Sequence, residues 1–319
     1  MDSFLITGGA GFIGSHSAEC LARAFPKAYF KILDKMTYAA NYENLVHVLD
    51  PPLRKLVVGD VCDLALCTEL TKDVDCVVHL AAESHVDNSF GTSLRFTQSN
   101  AIGTHTLLEA SRINGVKLFI HVSTDEVYGE IFEGVCTESD ILNPSNPYSA
   151  SKAAAEMIVN SYRYSFDMPI ITVRGNNVFG IRQFPEKIIP KFCMQAITGG
   201  KLTLHGNGKN SRHYLAAEDM AEALLLLIKK GKIGEIYNVG SDEEYTNLKI
   251  AEMICALFEI PFEEQVEFIP DRPFNDHRYA VDCNKLNALG WKEQRSLNVD
   301  LSNIADWYKD NAARYADIF

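Results

Sequence analysis

No apolar run in the 319-residue sequence approaches the roughly 18 residues that a bilayer-spanning helix needs. The opening stretch, Met1 to Thr7, carries no basic region of the kind that begins a secretory signal, so an unexported, soluble protein without a membrane partner is expected. A basic block of about five or six residues is also missing. With 30 Lys plus Arg against 42 Asp plus Glu, the formal charge is −12. The electrostatic footprint that a nucleic-acid backbone requires is absent, which excludes nucleic acid as the expected partner. A phosphorylated small molecule is not excluded, because local backbone N–H groups can hold phosphate inside an acidic protein.

The eight cysteines, Cys20, Cys62, Cys67, Cys76, Cys136, Cys193, Cys255 and Cys283, contain no Cys-x-x-Cys pair. A chain this long needs no staples, so they read as reduced thiols of a cytoplasmic protein. His79, His85 and His121 lie at strand ends without a carboxylate or second histidine at ligand spacing. No metal is expected, and locally satisfied imidazoles are the simpler reading. There is no Pro/Gly/Ser-rich linker, no internal repeat and no low-complexity segment. The Leu224-to-Ile228 run reads as buried helix.

What is present is ordinary globular material, 47% hydrophobic and 23% charged, enough for a large core. Over the first 175 residues, short apolar runs alternate with helical patterns, the mark of repeated βαβ units. The predicted strands are Phe4 to Thr7, Tyr29 to Asp34, Leu56 to Val58, Cys76 to Leu80, Leu118 to Ser123 and Ile170 to Val173. Helices are predicted at Phe12 to Phe25, Ser93 to Arg112 and Tyr148 to Tyr164. The handedness of crossovers leaves an α/β, doubly wound parallel sheet as the economical topology. After Gly175 helices dominate (Glu186 to Thr198, Ala217 to Lys230, Leu248 to Leu257, Val299 to Asn311) and strands such as Glu235 to Val239 thin out. We therefore expect a dinucleotide-binding domain over 1–175 and a smaller, mostly helical substrate lobe over 176–319, with some chain crossing between them.

Directly after the first strand stands Gly8-Gly9-Ala10-Gly11-Phe12-Ile13-Gly14. Glycines at this spacing allow a tight turn, close backbone approach to a pyrophosphate, and close packing of the helix they open. About twenty residues on, Asp34 ends the second strand, where a carboxylate accepts both ribose hydroxyls and repels a 2′-phosphate. That favours NAD over NADP, although the Lys35 ammonium next door could accept a phosphate. Asp60, after the third strand, could face the adenine.

Tyr148 and Lys152 form Y-x-x-x-K on one helix face. An ammonium one turn below a phenol can lower its pKa into a working range for a base. At the end of the fifth strand comes Ser123-Thr124-Asp125-Glu126-Val127-Tyr128-Gly129. Carboxyl ends of strands are where open α/β sheets bind ligands, and two adjacent carboxyl groups there can divide acid and base roles.

These residues resemble the extended short-chain dehydrogenase/reductases that act on nucleotide sugars, and more narrowly the nucleoside-diphosphate-glucose 4,6-dehydratases. The matching stretches are Thr7 to Gly14, Asp34 to Tyr38, His79 to Asp87, Ser123 to Gly129, Tyr148 to Ala153, Phe184 to Pro190, Arg272 to Tyr279 and Leu289 to Trp291. The runs Arg174 to Gly180 and Arg272 to Asp276 look closer to the dehydratase part of plant-type rhamnose synthases, which use UDP-glucose, than to bacterial dTDP-glucose enzymes. Asn275 stands where the bacterial enzymes often carry histidine.

The resemblance implies a bound NAD, contacted by Gly8, Gly11, Phe12, Ile13, Gly14, Asp34, Lys35, Thr37, Asp60, Val61, Leu80, Ala81, Ala82, Ser84, Ser99, Ser123, Tyr148, Lys152 and Asn177. It implies that Tyr148, assisted by Thr124, deprotonates the sugar O4 while hydride leaves C4. Glu126 would then remove the C5 proton and a protonated Asp125 would help the C6 hydroxyl leave as water. Around the sugar nucleotide it places Ser84, Thr124, Asn176, Lys187, Ile188, Thr203, His205, Arg212, Asn247, Arg272 and Asn275. Of these, the two arginine forks suit a diphosphate on chemistry alone. It further implies a homodimer paired through the helices Ser93 to Arg112 and Tyr148 to Tyr164. The expected activity is a UDP-glucose 4,6-dehydratase opening a UDP-rhamnose-type route; the rivals are a dTDP-glucose 4,6-dehydratase, a UDP-sugar 4-epimerase and a non-catalytic NAD-binding module. Resembling 4-epimerases lack the Asp-Glu pair, and a module freed from chemistry has no need of the Thr124–Lys152 set.

Overall fold

The computed structural model describes residues 1–319. Its first half lays down β1 (Ser3–Thr7), β2 (Tyr29–Asp34), β3 (Arg54–Val58), β4 (Cys76–His79), β5 (Leu118–Thr124) and β6 (Ile170–Gly175). The second half adds β7 (Asn177–Phe179), β8 (Leu202–His205), β9 (Ser211–Ala216), β10 (Ile236–Val239), β11 (Glu244–Thr246) and β12 (Val266–Ile269). β10, from late in the chain, returns to the main sheet, whose order is β10-β6-β5-β4-β1-β2-β3. All six neighbouring pairs are parallel. The order reverses between β1 and β4, which opens a crevice at their carboxyl ends.

The inner strands read as continuous apolar runs because both sheet faces are covered. On one face Ile6, Ile32, Ile120 and Val173 pack with Ala18 and Leu21 of helix Phe12–Ala24 and Leu224 and Leu227 of helix Ala217–Lys230. On the other, Leu5, Val77 and Phe119 meet Leu107 of helix Gly103–Ile113 and Val159 of helix Pro147–Phe166. Each such fully buried side chain contributes roughly 1.5–3 kcal/mol. A separate core gathers Phe179, Phe192, Leu204, Ile254, Leu301 and Tyr308. Around it β11, β9 and β7 form one small sheet, and β12 and β8 another. No helix is long and apolar enough to cross a membrane, and all eight cysteines are unpaired.

Several element ends differ from the sequence reading. β3 begins at Arg54, two residues early, because an edge strand can pair Arg54 and Lys55 with Phe30 and Lys31 while Lys55 stays exposed and the Arg54 guanidinium donates to the Ala22 and Pro26 carbonyls. β4 stops at His79, and β5 runs on to Thr124 because its pairing with β6 reaches Gly175. The helix expected from Glu186 starts at Ile188, after an extended Lys187. The helix read as Ser93 to Arg112 contains a wider π-turn over Thr97–Ile102 that no periodicity announced.

Candidate active site

The first cavity lies in the β1/β4 crevice. Gly8 sits at φ +70°, and a Cβ there would stand 2.7 Å from the Ala81 nitrogen; one on Gly14 would stand 2.0 Å from the Gly8 oxygen. Only glycine lets the turn close this tightly. Gly11 caps the helix Phe12–Ala24 with no side-chain bond, which leaves the first-turn N–H groups of Phe12, Ile13 and Gly14 facing the cavity.

At the end of β2, Asp34 accepts from the Ala10 N–H at 2.9 Å and the Met36 N–H at 2.8 Å. Burial raises its carboxyl pKa, and these backbone bonds oppose the rise. Lys35 pairs instead with Asp60 at 2.7 Å. Its ammonium is thus engaged by a carboxylate of the same wall, which removes the objection that it stands ready for a 2′-phosphate.

Every residue expected at the cofactor lines this cavity. Lys35, Thr37, Asp60 and Val61 stand on the β2–β3 side, Leu80, Ala81, Ala82 and Ser84 after β4, and Ser99 on the π-turn. Ser123, Asn176 and Asn177 line the cavity as well, at the ends of β5 and β6 and the start of β7. Ser123 Oγ and Asn177 Oδ1 are buried with no protein partner. Orphaned polar atoms beside a glycine cradle and a ribose-reading carboxylate fit a dinucleotide.

Thr124 ends β5, and its hydroxyl oxygen accepts the Glu126 N–H, capping the single turn Asp125–Tyr128. That turn delivers two buried carboxyl groups side by side. Asp125 accepts from Asn176 Nδ2 at 2.6 Å and from the Thr124 hydroxyl at 3.2 Å. Burial, and then the charge of Glu126, push its pKa up to about 7. Glu126 is also raised by burial, but Arg212 and Lys187 oppose the rise, and Asn146 donates to it at 3.3 Å. The pair is electrostatically unequal: one carboxyl holds its proton near neutrality while cations favour ionisation of the other.

Tyr148 and Lys152 stand on the helix Pro147–Phe166, whose capping box is built by Asn146 and Ser149. The lowering of the phenol's pKa expected from Lys152 is not what the protein groups alone produce. Burial, and then the Glu126 charge, hold it above its usual value, with Thr124 pulling the other way. The Lys152 ammonium, brought down to about 8 by burial, donates to the Val122 carbonyl at 2.7 Å.

Beneath the helix, Glu156 and Arg174 form a buried bidentate pair at 2.6 Å. Arg174 also donates to the Tyr128 hydroxyl at 2.8 Å, which donates to Asn238 at 2.7 Å. This network ties the Asp-Glu turn to β6 and β10. Nothing in the sequence marks Glu156 or Arg174 as a support of the site; Asn146 carries a signal, an Asn-Pro start to a helix.

The second cavity shares Glu126, Asn177, Val178, Gln183, Glu186 and Lys187 with the first, so the two meet at Glu126. Of the residues expected around the sugar nucleotide, its wall holds Lys187, Ile188, Thr203, His205, Arg212, Asn247, Arg272 and Asn275, whereas Ser84, Thr124 and Asn176 line the first cavity. Arg272 bonds Asp87 at 3.0 Å and Asn275 at 2.5 Å. His85 belongs to this wall too, 3.7 Å from Glu186. His79 is satisfied by Thr7 and Thr104, at 2.7 and 2.9 Å. His85 and His121 correct the expectation: His85 Nδ1 and both ring nitrogens of His121 are buried without a hydrogen-bond partner, and burial keeps His121 neutral.

A sequence profile for the family described as GDP-mannose 4,6 dehydratase matches residues 5–302. A trifunctional UDP-glucose 4,6-dehydratase/UDP-4-keto-6-deoxy-D-glucose 3,5-epimerase/UDP-4-keto-L-rhamnose-reductase of Arabidopsis thaliana is 46% identical over 322 residues, covering 99% of this chain and 48% of the plant protein. The chain thus spans about half the length of these plant relatives. A dTDP-D-glucose 4,6-dehydratase of Homo sapiens is 39% identical over 321 residues, covering 98% of this chain and 92% of the human one. The crystal structure of a dTDP-glucose 4,6-dehydratase from Streptomyces venezuelae with NAD bound matches with a TM-score of 0.95 and 38% identity, covering 98% of both chains.

Proposed function

The chain belongs to the GDP-mannose 4,6 dehydratase family, and from that premise we propose that it is an NAD-dependent nucleotide-sugar 4,6-dehydratase, a hydro-lyase, whose substrate is UDP-glucose. The observation that carries this reading is the unequal pair of buried carboxyls at the junction of the two cavities. Epimerisation at C4 needs no acid beside the base; expulsion of a C6 hydroxyl does.

NAD, when bound, supplies the hydride acceptor that turns C4 into a ketone and gives the hydride back at C6. The chain's own residues manage the protons. Tyr148 would take the O4 proton as a phenolate, a form that burial in the protein alone disfavours and that the positive charges of Lys152 and of bound NAD would favour, with Thr124 bonding the same oxygen. The ketone makes the C5 proton acidic, and Glu126 removes it. Asp125, kept protonated by burial, delivers a proton to the departing C6 oxygen. Glu126 returns its proton to C5 as C6 is reduced, and the O4 proton taken by Tyr148 makes good the one Asp125 gives up, so water is lost, no net oxidation occurs, and a cofactor restored in each cycle can stay bound.

The uridine preference is supported by the runs Arg174 to Gly180 and Arg272 to Asp276 and by the 46% identity to plant enzymes named for UDP-glucose. The 1–175 and 176–319 division assigns NAD to the first lobe and the sugar nucleotide to the second, with the keto product passing to a UDP-rhamnose-type route. Exposed Leu94, Met157 and Tyr164 on the helices near 93–113 and 147–166 support a homodimer, and eight unpaired cysteines support a cytoplasmic setting. Incubation of the protein with UDP-glucose and with dTDP-glucose, followed by product mass, tests the reading. We expect loss of one water, faster with UDP-glucose; unchanged mass with inverted C4 would make it an epimerase.

A further inference from the structure

The second cavity is lined by four permanent cations, Lys187, Lys191, Arg212 and Arg272. Three of them are engaged within the protein. Lys187 donates to the Ser84 carbonyl at 2.6 Å. Arg212 donates to the Ser211 carbonyl at 2.7 Å and lies over the Tyr279 ring. Arg272 is held by Asp87 and Asn275. Lys191 alone has no hydrogen bond or ion pair for its ammonium.

Lys191 stands in the first turn of the helix Ile188–Thr198, and its N–H donates to the carbonyl of Lys187, the extended N-cap residue, at 2.9 Å. Burial lowers its pKa, and the only opposing charge is Asp87, which Arg272 already holds. The side chain is half-buried while its ammonium is still reached by water, so the ammonium is free to exchange that water for an anionic ligand. The cavity it faces is the one assigned above to a nucleoside diphosphate sugar.

We propose that Lys191 binds the diphosphate of the substrate, completing with Arg272 a cationic cradle that the resemblance and the sequence reading left one member short. The proposal rests on the nucleotide-sugar reading of this cavity. The diphosphate gives Lys191 the anionic partner that the protein withholds, while the Asp87–Arg272 bridge keeps Arg272 oriented toward the same ligand.

The test is calorimetric titration of NAD-loaded wild type, Lys191→Met and Lys191→Arg with UDP and with dTDP, from low to high salt. Bound NAD and the thermal transition of each variant confirm that it is folded. Loss of a charge-assisted contact should weaken both nucleotides about ten-fold at low salt in Lys191→Met. The gap should narrow as salt rises, and Lys191→Arg should recover most of it. Equal affinities of wild type and Lys191→Met at low salt would overturn the inference, as would a loss that high salt leaves undiminished, which would indicate altered packing. A wild type that binds neither nucleotide would overturn the reading of the cavity itself, and this inference with it.

Discussion

The two cavities that meet at Glu126 are built by different means. The first is built around backbone: a glycine turn at β1, the carboxyl ends of successive parallel strands, and a carboxylate at the end of β2 held by neighbouring N–H groups. The second is made of side chains drawn from distant places, with Asp87 bonded to Arg272 across 185 positions. A backbone cavity admits one geometry and fails sharply when changed. A side-chain cavity should lose its contacts one at a time.

The largest effect separating the two is expected from Gly14→Ala, whose Cβ would fall 2.0 Å from the Gly8 oxygen. Turn and helix cannot both keep their places, so the purified variant should carry no NAD and show no turnover, read by absorbance and activity. Retained cofactor would break the contrast. Below the junction, Glu156→Gln leaves Arg174 buried beside a neutral partner. A cost of about 3–5 kcal/mol is expected in urea unfolding.

The pH profile comes next. Asp125 must be protonated to act as an acid, and its pKa is pushed up to about 7. Turnover should therefore fall above that pH, by about ten-fold per unit where this step limits. Glu126 must be ionised to act as a base and is raised by burial, so the acid limb should lie above the ordinary glutamate range. Asp125→Asn should remove the alkaline limb along with most of the rate. The smallest effect is expected from Lys35→Ala, which frees Asp60 from a largely exposed pair. Stability should change by under about 1 kcal/mol, and NAD should still be preferred to NADP in titrations because Asp34 remains.

The same contrast explains what the sequence revealed. The main-sheet strands were legible because strands covered on both faces are continuous apolar runs. The glycine turn was legible because a steric demand leaves a residue signature. The small strands were not: β12 pairs in parallel with β8 more than sixty residues earlier, and nothing local encodes that register. The π-turn at Thr97–Ile102 lies in a polar stretch without a period. The second-cavity residues were reached by resemblance rather than by pattern. Lys191 escaped notice because one lysine on an amphipathic helix looks like any solvated one until its surroundings are seen. His121 was misjudged for the same reason, since its lack of partners is a property of packing.

The division of labour between Asp125 and Glu126 is tested most directly by single-turnover mixing of NAD-loaded Asp125→Asn with UDP-glucose. Reduced nicotinamide absorbance and product mass would be followed together. We expect cofactor reduction at close to the wild-type rate, then accumulation of the reduced form as water expulsion lags by about a hundred-fold or more. Equal slowing of both phases, with no build-up of reduced cofactor, would contradict the acid role of Asp125.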